Sequence, residues 1–423
     1  MTRFTRTQYA AFALVVVVTA FLTAGLFGQF TGSESEPIEI DVPETIEQLH
    51  EDGHTGSGVT VGLIDVTGID DTQPAVADSF VADRTFGDGD GLLRDRPDEH
   101  GTRAAALVAA TAPDAELYFA SVGDEESFTE AVSWQLDQDV DIIVAPVSFY
   151  GKPGDGNSLV ERAASDAVAA DVAFVAPAGN LGQGHWQSRF LPTTDGYQEF
   201  DGGQRMELEG DSERVELWLS WQDRTQELTV ELYAGDDPEP IAASESYAGD
   251  RYPNELLTAE VPDEESLSVA LRGPATATGE QVRISSPTHE LSASSRLGSL
   301  VPPGTAEGVL TVGAYNKETG ILEPYSGAGP TADGRPGLDI IAPGRFDIDG
   351  DGEFFGTSAG APYTAGVAAL LLEQQDLSPP EITEILTETA DGTPPYDDQL
   401  RAGSGVLRPE RAILQVADDD SDR

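Results

Sequence analysis

The sequence predicts an α/β protein: a parallel sheet flanked by helices on both faces, with an all-β sandwich inserted into it. Two observations carry this expectation. Apolar runs of strand length alternate with stretches of helical character over residues 45–189 and again over 298–417. Between them, over 190–297, there are only short alternating runs punctuated by Gly, Pro, Asp and Asn, with no convincing helix.

In chain order, "SGVTVGLIDVTGID" holds an apolar run of strand length that ends in Asp65, and "HGTRAAALVAATA" predicts a helix from His100 to Ala112. "AELYFASV", "VDIIVAPVSF" and "VAFVAPAGN" read as further strands, separated by the helical "SFTEAVSWQLDQ" and "SLVERAASDAVAAD". The sandwich is expected from "YQEFDGG", "RVELWLSW", "LTVELYAG", "SLSVALRG" and "QVRISSP". The α/β pattern then resumes with "GVLTVGAYN" and "LDIIAPG", a buried helix over Ala365–Leu372, and helices at "SPPEITEILTETA" and "RPERAILQVA". No internal repeat is evident. Residues 32–44 read as a polar linker and 418–423 as a disordered acidic tail.

A chain of 423 residues, 39% hydrophobic, can bury one large core and a smaller one. Its charge is the outlier: Asp and Glu number 76 against 23 Lys and Arg, a formal net charge of −53. Nucleic acid is excluded as a partner, because binding it needs cationic neutralisation of phosphate. Self-repulsion on this scale destabilises a compact chain at low salt and is screened at ~1 M, where the Debye length is about 3 Å, so a hypersaline setting is expected. No cysteine is present, which removes disulfides, thiolate chemistry and Cys-ligated zinc. At the N-terminus, within residues 1–31, Arg3 and Arg6 precede an uncharged apolar run over residues 10–27. Its length falls between a signal-peptide core and a span of roughly 20 residues, so it reads as a signal peptide or as a membrane anchor. Either reading places the protein outside the cell or at its surface.

Four polar groups stand at predicted strand ends or helix starts, where an open parallel sheet places its functional residues. Ser358 follows Gly356 and Thr357 at the start of a buried helix, a position that suits a nucleophile and equally an N-cap serine. Asp65 ends a strand, His100 opens a helix beside Gly101, and Asn180 ends a strand beside Gly179. A serine attacks a carbonyl usefully only when a base takes its proton, a third group orients that base, and donors await the oxyanion.

In "GVTVGLIDVTGID", "HGTRAAALVAA", "VAPAGN" and "GTSAGAPYTAGVAAL", in that order, the chain resembles the subtilisin-like serine proteases, the subtilase family; "SGAGPTADGRPGLDIIAPG" resembles the family's stretch before the nucleophile. The resemblance covers roughly residues 45–189 and 298–417. With the charge, it points to a haloarchaeal type of the family. It implies a serine endopeptidase with Ser358 as nucleophile, His100 as general base and acid, Asp65 as its orienting carboxylate, and Asn180 with the Ser358 N–H as the oxyanion hole. It also implies that "APVSFYG" offers a strand edge to a protein or peptide substrate through Ser148, Phe149, Tyr150 and Gly151, across a pocket from Ala178 and Gly179. Phe149 and Tyr150 are expected to crowd that cleft. The chemistry requires no cofactor, and a monomer is expected.

The chain departs from the family pattern in four ways. "DVTG" replaces Asp-Thr-Gly or Asp-Ser-Gly, which leaves the hydrogen bonding around Asp65 open; Arg103 and Tyr363 replace common histidines, and Ala359 a common methionine. About twenty residues separate the apolar segment from the catalytic onset, too few for an inhibitory propeptide. A rival reading is therefore a catalytically silent surface scaffold that displays the sandwich, and a further one is a processing protease with a single native substrate.

Three weaker patterns lie outside this constellation. In "FDIDGDGEFF", Asp347, Asp349, Asp351 and Glu353 form either a compact Ca²⁺ site or a plain acidic turn; a full EF-hand is excluded because its twelfth position is Ser358. His185 and Trp186 are expected at a hinge into the insert, and Trp218 and Trp221, three apart, on opposite faces of a strand.

Overall fold

The computed structural model describes residues 38–93, 99–247, 253–261, 266–348, 352–393 and 395–421. The first helix, α1 (Glu44–Glu51), leads into β1 (Thr60–Asp65), α2 (Pro74–Ala77), β2 (Phe80–Phe86) and α3 (His100–Thr111). There follow β3 (Glu116–Val122), α4 (Glu125–Asp137), β4 (Ile142–Val144), α5 (Leu159–Ala169) and β5 (Ala173–Pro177). Strands β1–β5 form a parallel sheet in the order β5-β4-β1-β3-β2. Each of β1–β4 feeds a helix, and two of those helices start on reciprocal caps: Asp124 with Ser127 for α4, and Ser158 with Glu161 for α5.

The sheet is buried on both faces because successive strand residues point opposite ways and both sets are apolar. Leu63, Phe119, Ile142 and Val144 enter one core, which is shared with α3; Ile64, Ala120 and Ile143 enter the other, beneath α4 and α5. Each fully buried Phe, Leu or Ile contributes roughly 1.5–3 kcal/mol. Gly62 lets α4 come close, since a Cβ there would lie 2.5 Å from Gln135 Oε1.

The insert follows. Its strands are β6 (His185–Arg189), β7 (Met206–Glu209), β8 (Arg214–Ser220), β9 (Thr229–Ala234), β10 (Ala242–Ala243), β11 (Glu245–Ser246), β12 (Asn254–Glu260), β13 (Leu267–Arg272), β14 (Gln281–Ser285) and β15 (Glu290–Leu291). They form two five-stranded sheets, β10-β9-β13-β7-β15 and β11-β12-β8-β14-β6, around a core that includes Trp186, Leu217, Leu219, Val230, Val269 and Ile284. The sandwich therefore opens at His185, a few residues before the expected boundary at 190. His185 and Trp186 are not a hinge: they pair with Ser285 and Ile284 as the edge strand of a sheet. "YQEFDGG" makes only isolated bridges, Tyr197 to Arg272 and Phe200 to Gly203.

The chain then returns to the parallel sheet. β16 (Leu310–Asn316) pairs with β5, extending the sheet at that end; β17 (Ile321–Leu322) and β18 (Ile340–Pro343) pair with β16. A hairpin, β19 (Arg345–Ile348) with β20 (Gly352–Phe355), precedes α6 (Thr357–Leu372), and α7 (Pro379–Glu388), α8 (Gln399–Ala402) and α9 (Pro409–Ser421) complete the fold. Helix α6 is buried on all sides from Ala359 to Leu371. Gly366 allows this, because a Cβ there would lie 2.5 Å from the Thr111 side chain of α3. At its C-terminal end the Glu373 carboxylate accepts the backbone N–H groups of Thr55, Gly56 and Ser57.

Two terminal expectations need correction. The end of the linker is packed: Ile38 is buried and donates its N–H to Gln73, and Ile40 bridges to Ile348. The acidic tail is helical through Ser421, because α9 is anchored by Ala412, Ile413 and Val416 and a nucleated helix extends at little cost. The proposed signal peptide or anchor lies outside the described residues. Among the described residues no helix is long and apolar enough to cross a membrane.

Candidate active site

Asp65 is the last residue of β1 and is fully buried. Its Oδ1 accepts the N–H and the hydroxyl of Thr67 at 2.9 and 3.0 Å, and its Oδ2 lies 2.7 Å from His100 Nδ1. The extra residue in "DVTG" thus leaves a threonine bonded to the carboxylate. Thr67 Oγ1 also accepts the N–H of Gly101 at 2.7 Å, which locks the start of α3 to the end of β1. Gly101 is required there: a Cβ would stand 2.5 Å from the carbonyl of Gly68.

His100 is the first residue of α3 and keeps 11% of its side chain exposed. Its ring stands edge-on to Phe354 of β20, centroids 5.2 Å apart. Because an ionised carboxylate only accepts, the contact with Asp65 assigns the proton to Nδ1 and leaves Nε2 as the acceptor. Arg103, one turn along α3, donates to the carbonyl of Glu353 and so ties this helix to the β19–β20 hairpin.

Ser358 is the second residue of α6, and Gly356 before it adopts a φ of 104°, open only to glycine at low strain. At that position the Ser358 N–H has no acceptor within the helix. Pro362 lies four residues on, so the Ser358 carbonyl also lacks its helical donor. Asn180 sits against this turn. Its Oδ1 accepts the N–H and the hydroxyl of Thr357, both at 3.0 Å, which turns Nδ2 away from Thr357 as a donor. Thr357 Oγ1 in turn accepts the Gly179 N–H at 3.1 Å. Thr67 thus ties Asp65 to the start of α3, Thr357 ties Asn180 to the start of α6, and Phe354, four residues before Ser358, packs on the His100 ring. These three linking residues went unassigned in the sequence, although Thr67 and Thr357 stand inside the motifs that point to the site.

The segment expected to form the substrate edge, residues 145–151, leaves the end of β4. The Phe149 N–H donates inward to the carbonyl of Pro302 at 3.0 Å. Its ring is buried against Phe128, centroids 5.3 Å apart, so Phe149 does not crowd the cleft; it is an inward residue of an extended segment. The Tyr150 side chain bonds to Ser148 and lies near Glu216 of the sandwich, and burial with that carboxylate pushes its phenol well above the usual range. Gly151 lies beneath Trp218, where a Cβ would be 2.5 Å from the indole. Ala178 and Gly179 face Val301, which donates its N–H to the Ala178 carbonyl and leaves no room for a side chain on Gly179.

Trp218 projects from β8 away from the sandwich core, toward the catalytic body, whereas Trp221 lies just past the strand with its indole donating to the carbonyl of Asp223. Of the four acidic candidates, Asp347 and Glu353 are directly opposed on the hairpin, and the Glu353 carboxylate is engaged by Arg345. Asp349 and Asp351 lie outside the described residues. Among the described residues no group of three or more His, Asp or Glu is placed to hold a metal ion. Ala359 and Tyr363 are buried in α6, Tyr363 against Phe346.

Comparison with known proteins places this arrangement. The family model described as the subtilase family matches residues 56–202 and 276–409, more than half of the chain, and its gap falls within the sandwich. Serine protease AprX of Bacillus subtilis is 30% identical over 141 residues, which cover 27% of this chain and 32% of that protein. Subtilisin E of Bacillus subtilis is 30% identical over 153 residues, 32% of this chain and 37% of its own length. The chain thus spans about a third of the length of these curated relatives. Among solved structures, the Clostridium perfringens CspB protease superposes with a TM-score of 0.62 at 18% identity, covering 88% of this chain and 97% of that one. A protease of Pseudoalteromonas arctica gives 0.50 at 16% identity over 88% and 93%. At these identities the two structures speak for the fold alone, while the family match extends over both halves of the α/β body and across all four polar positions: this chain belongs to the subtilase family.

Proposed function

We propose that this protein is an exported serine endopeptidase, of a haloarchaeal type, that works at high salt. The reading rests on one observation above all: a buried carboxylate bonded to an imidazole at 2.7 Å stands at the same sheet rim as a serine at a helix start flanked by an amide donor. In this reading Ser358 Oγ attacks the carbonyl carbon of the scissile bond as His100 Nε2 takes its proton. Asp65 holds the imidazole in the required tautomer and stabilises its cation. The tetrahedral oxyanion is received by the Ser358 N–H and Asn180 Nδ2. His100 then gives its proton to the leaving amine as the C–N bond breaks, and an acyl group stays on Ser358. Water, deprotonated by the same imidazole, releases it. Export is supported by Arg3, Arg6 and the apolar run over residues 10–27, and salt adaptation by the net charge of −53.

Labelling with a fluorophosphonate probe in multimolar salt tests the mechanism. The wild-type protein should be labelled and Ser358→Ala should not. Absence of labelling in a demonstrably folded wild type would overturn the reading in favour of a silent scaffold.

A further inference from the structure

The segment that leaves β4 meets the sandwich from Gly151 onward, and the meeting limits what the groove can hold. In an extended chain, backbone groups alternate in direction. Phe149 spends its N–H inward on Pro302, so the groups of Ser148 and Tyr150 face the other way. Among the described residues, no hydrogen bond uses the backbone N–H or C=O of either one. One step further the edge is taken. The Gly151 carbonyl accepts from Asn254 Nδ2 of β12 at 3.2 Å, and the Trp218 indole of β8 lies directly on Gly151. Trp218 is held in turn: its Nε1 donates to Glu216 at 2.8 Å, and Tyr247 stands edge-on to it with centroids 4.9 Å apart. Past Gly151, Arg283 of β14 holds the carbonyl of Pro153.

We infer that the sandwich ends the substrate groove at Gly151, so that the enzyme pairs with no more than three residues on the acyl side of the scissile bond. Ser148 and Tyr150 engage the first and third of these residues, as alternation along a two-stranded ladder requires, and Trp218 with Asn254 occupies the place of a fourth. The inference rests on the protease reading above. It narrows the substrates to chains that can turn sharply away, or end, within three or four residues of the cleaved bond: flexible tails, exposed loops and short peptides. Long extended strands are excluded.

The test is a length series. Amino-terminally acetylated peptides with one, two, three, four and six residues before a fluorogenic amide are compared by kcat/KM with the wild-type protein in multimolar salt. The expected result is a steep rise up to three residues and a change of less than about twofold from three to six. A gain of tenfold or more between three and six residues would overturn the inference, and would mean that substrate runs on into the cleft of about 320 Å³ beyond, where Trp221 and Arg283 face Pro153 and Thr331. The double variant Trp218→Ala, Asn254→Ala, checked for intact fluorophosphonate labelling, should acquire the length dependence that the wild type lacks. Hydrolysis of none of the peptides would sink the protease reading and this inference together, whereas hydrolysis with a continued length dependence would sink the inference alone.

Discussion

Asn180 shows how much rests on the two ends of one amide. Its oxygen anchors Thr357, and so the start of α6, while its nitrogen is the donor that the proposed mechanism assigns to the oxyanion. The two roles separate in Asn180→Asp, which keeps an acceptor for Thr357 and loses the donor. Turnover should fall ~10²–10³-fold, the loss typical of such donors in this family of proteases, with little change in KM. Unfolding should still occur near the wild-type temperature. A variant that keeps full turnover would remove Asn180 from the oxyanion hole. The same residue marks what was legible at this scale. Asp65, His100, Asn180 and Ser358 can be found in the sequence because the chemistry demands particular residue types at strand ends and helix starts. Phe354 cannot, because any apolar residue in the hairpin has the same signature. Phe149 was misread for a related reason: one residue of register decides whether a ring faces a cleft or a core, and sequence does not fix that register.

Strand β8 carries the tension of the insert. Its inward residues Val215, Leu217 and Leu219 belong to the sandwich core, while Glu216 and Trp218 are buried against the catalytic body. Burial pushes the Glu216 carboxyl up to about 7, with the Trp218 hydrogen bond and Arg214 opposing. A group whose folded-state value is raised holds its proton longer than the unfolded chain does. Its burial is therefore least costly at acid pH, and stability is lost as pH rises from the ordinary 4.5 through about 7. Glu216→Gln keeps an acceptor for Trp218 and removes the charge. Relative to wild type at the same salt, the variant should gain about 1–3 kcal/mol on going from pH 5 to pH 8.5. A difference in melting temperature that is unchanged between those pH values would refute this. At the element scale the sequence was most legible where periodicity was long: α3, α4, α5, α7 and α9 all lie where apolar spacing puts them. It was least legible at β2, whose Asp83 and Arg84 interrupt the apolar pattern of a half-exposed edge strand, and at β19–β20, whose acidic sequence resembles half a calcium loop.

Across the whole molecule, charge dominates. With a net charge of −53 spread over 423 residues, every compact state carries a repulsion that the unfolded chain relaxes. Raising NaCl from 0.1 M to 2 M shortens the Debye length from about 10 Å to below about 3 Å. The unfolding temperature should rise by about 10 °C or more, which at ~2–4 °C per kcal/mol is ~3 kcal/mol or more. A melting temperature indifferent to salt would rule out screening as the source of stability. The two-part construction of the α/β body also has an order in time. Asp65, His100 and Asn180 precede the sandwich and Ser358 follows it. At ~5–20 residues per second, the 178 residues from Leu181 to Ser358 take about 10–35 s to synthesise. Throughout that interval the nascent chain holds the proposed base and oxyanion donor without the proposed nucleophile. The wall inferred to close the groove is therefore made before the group proposed to do the cutting.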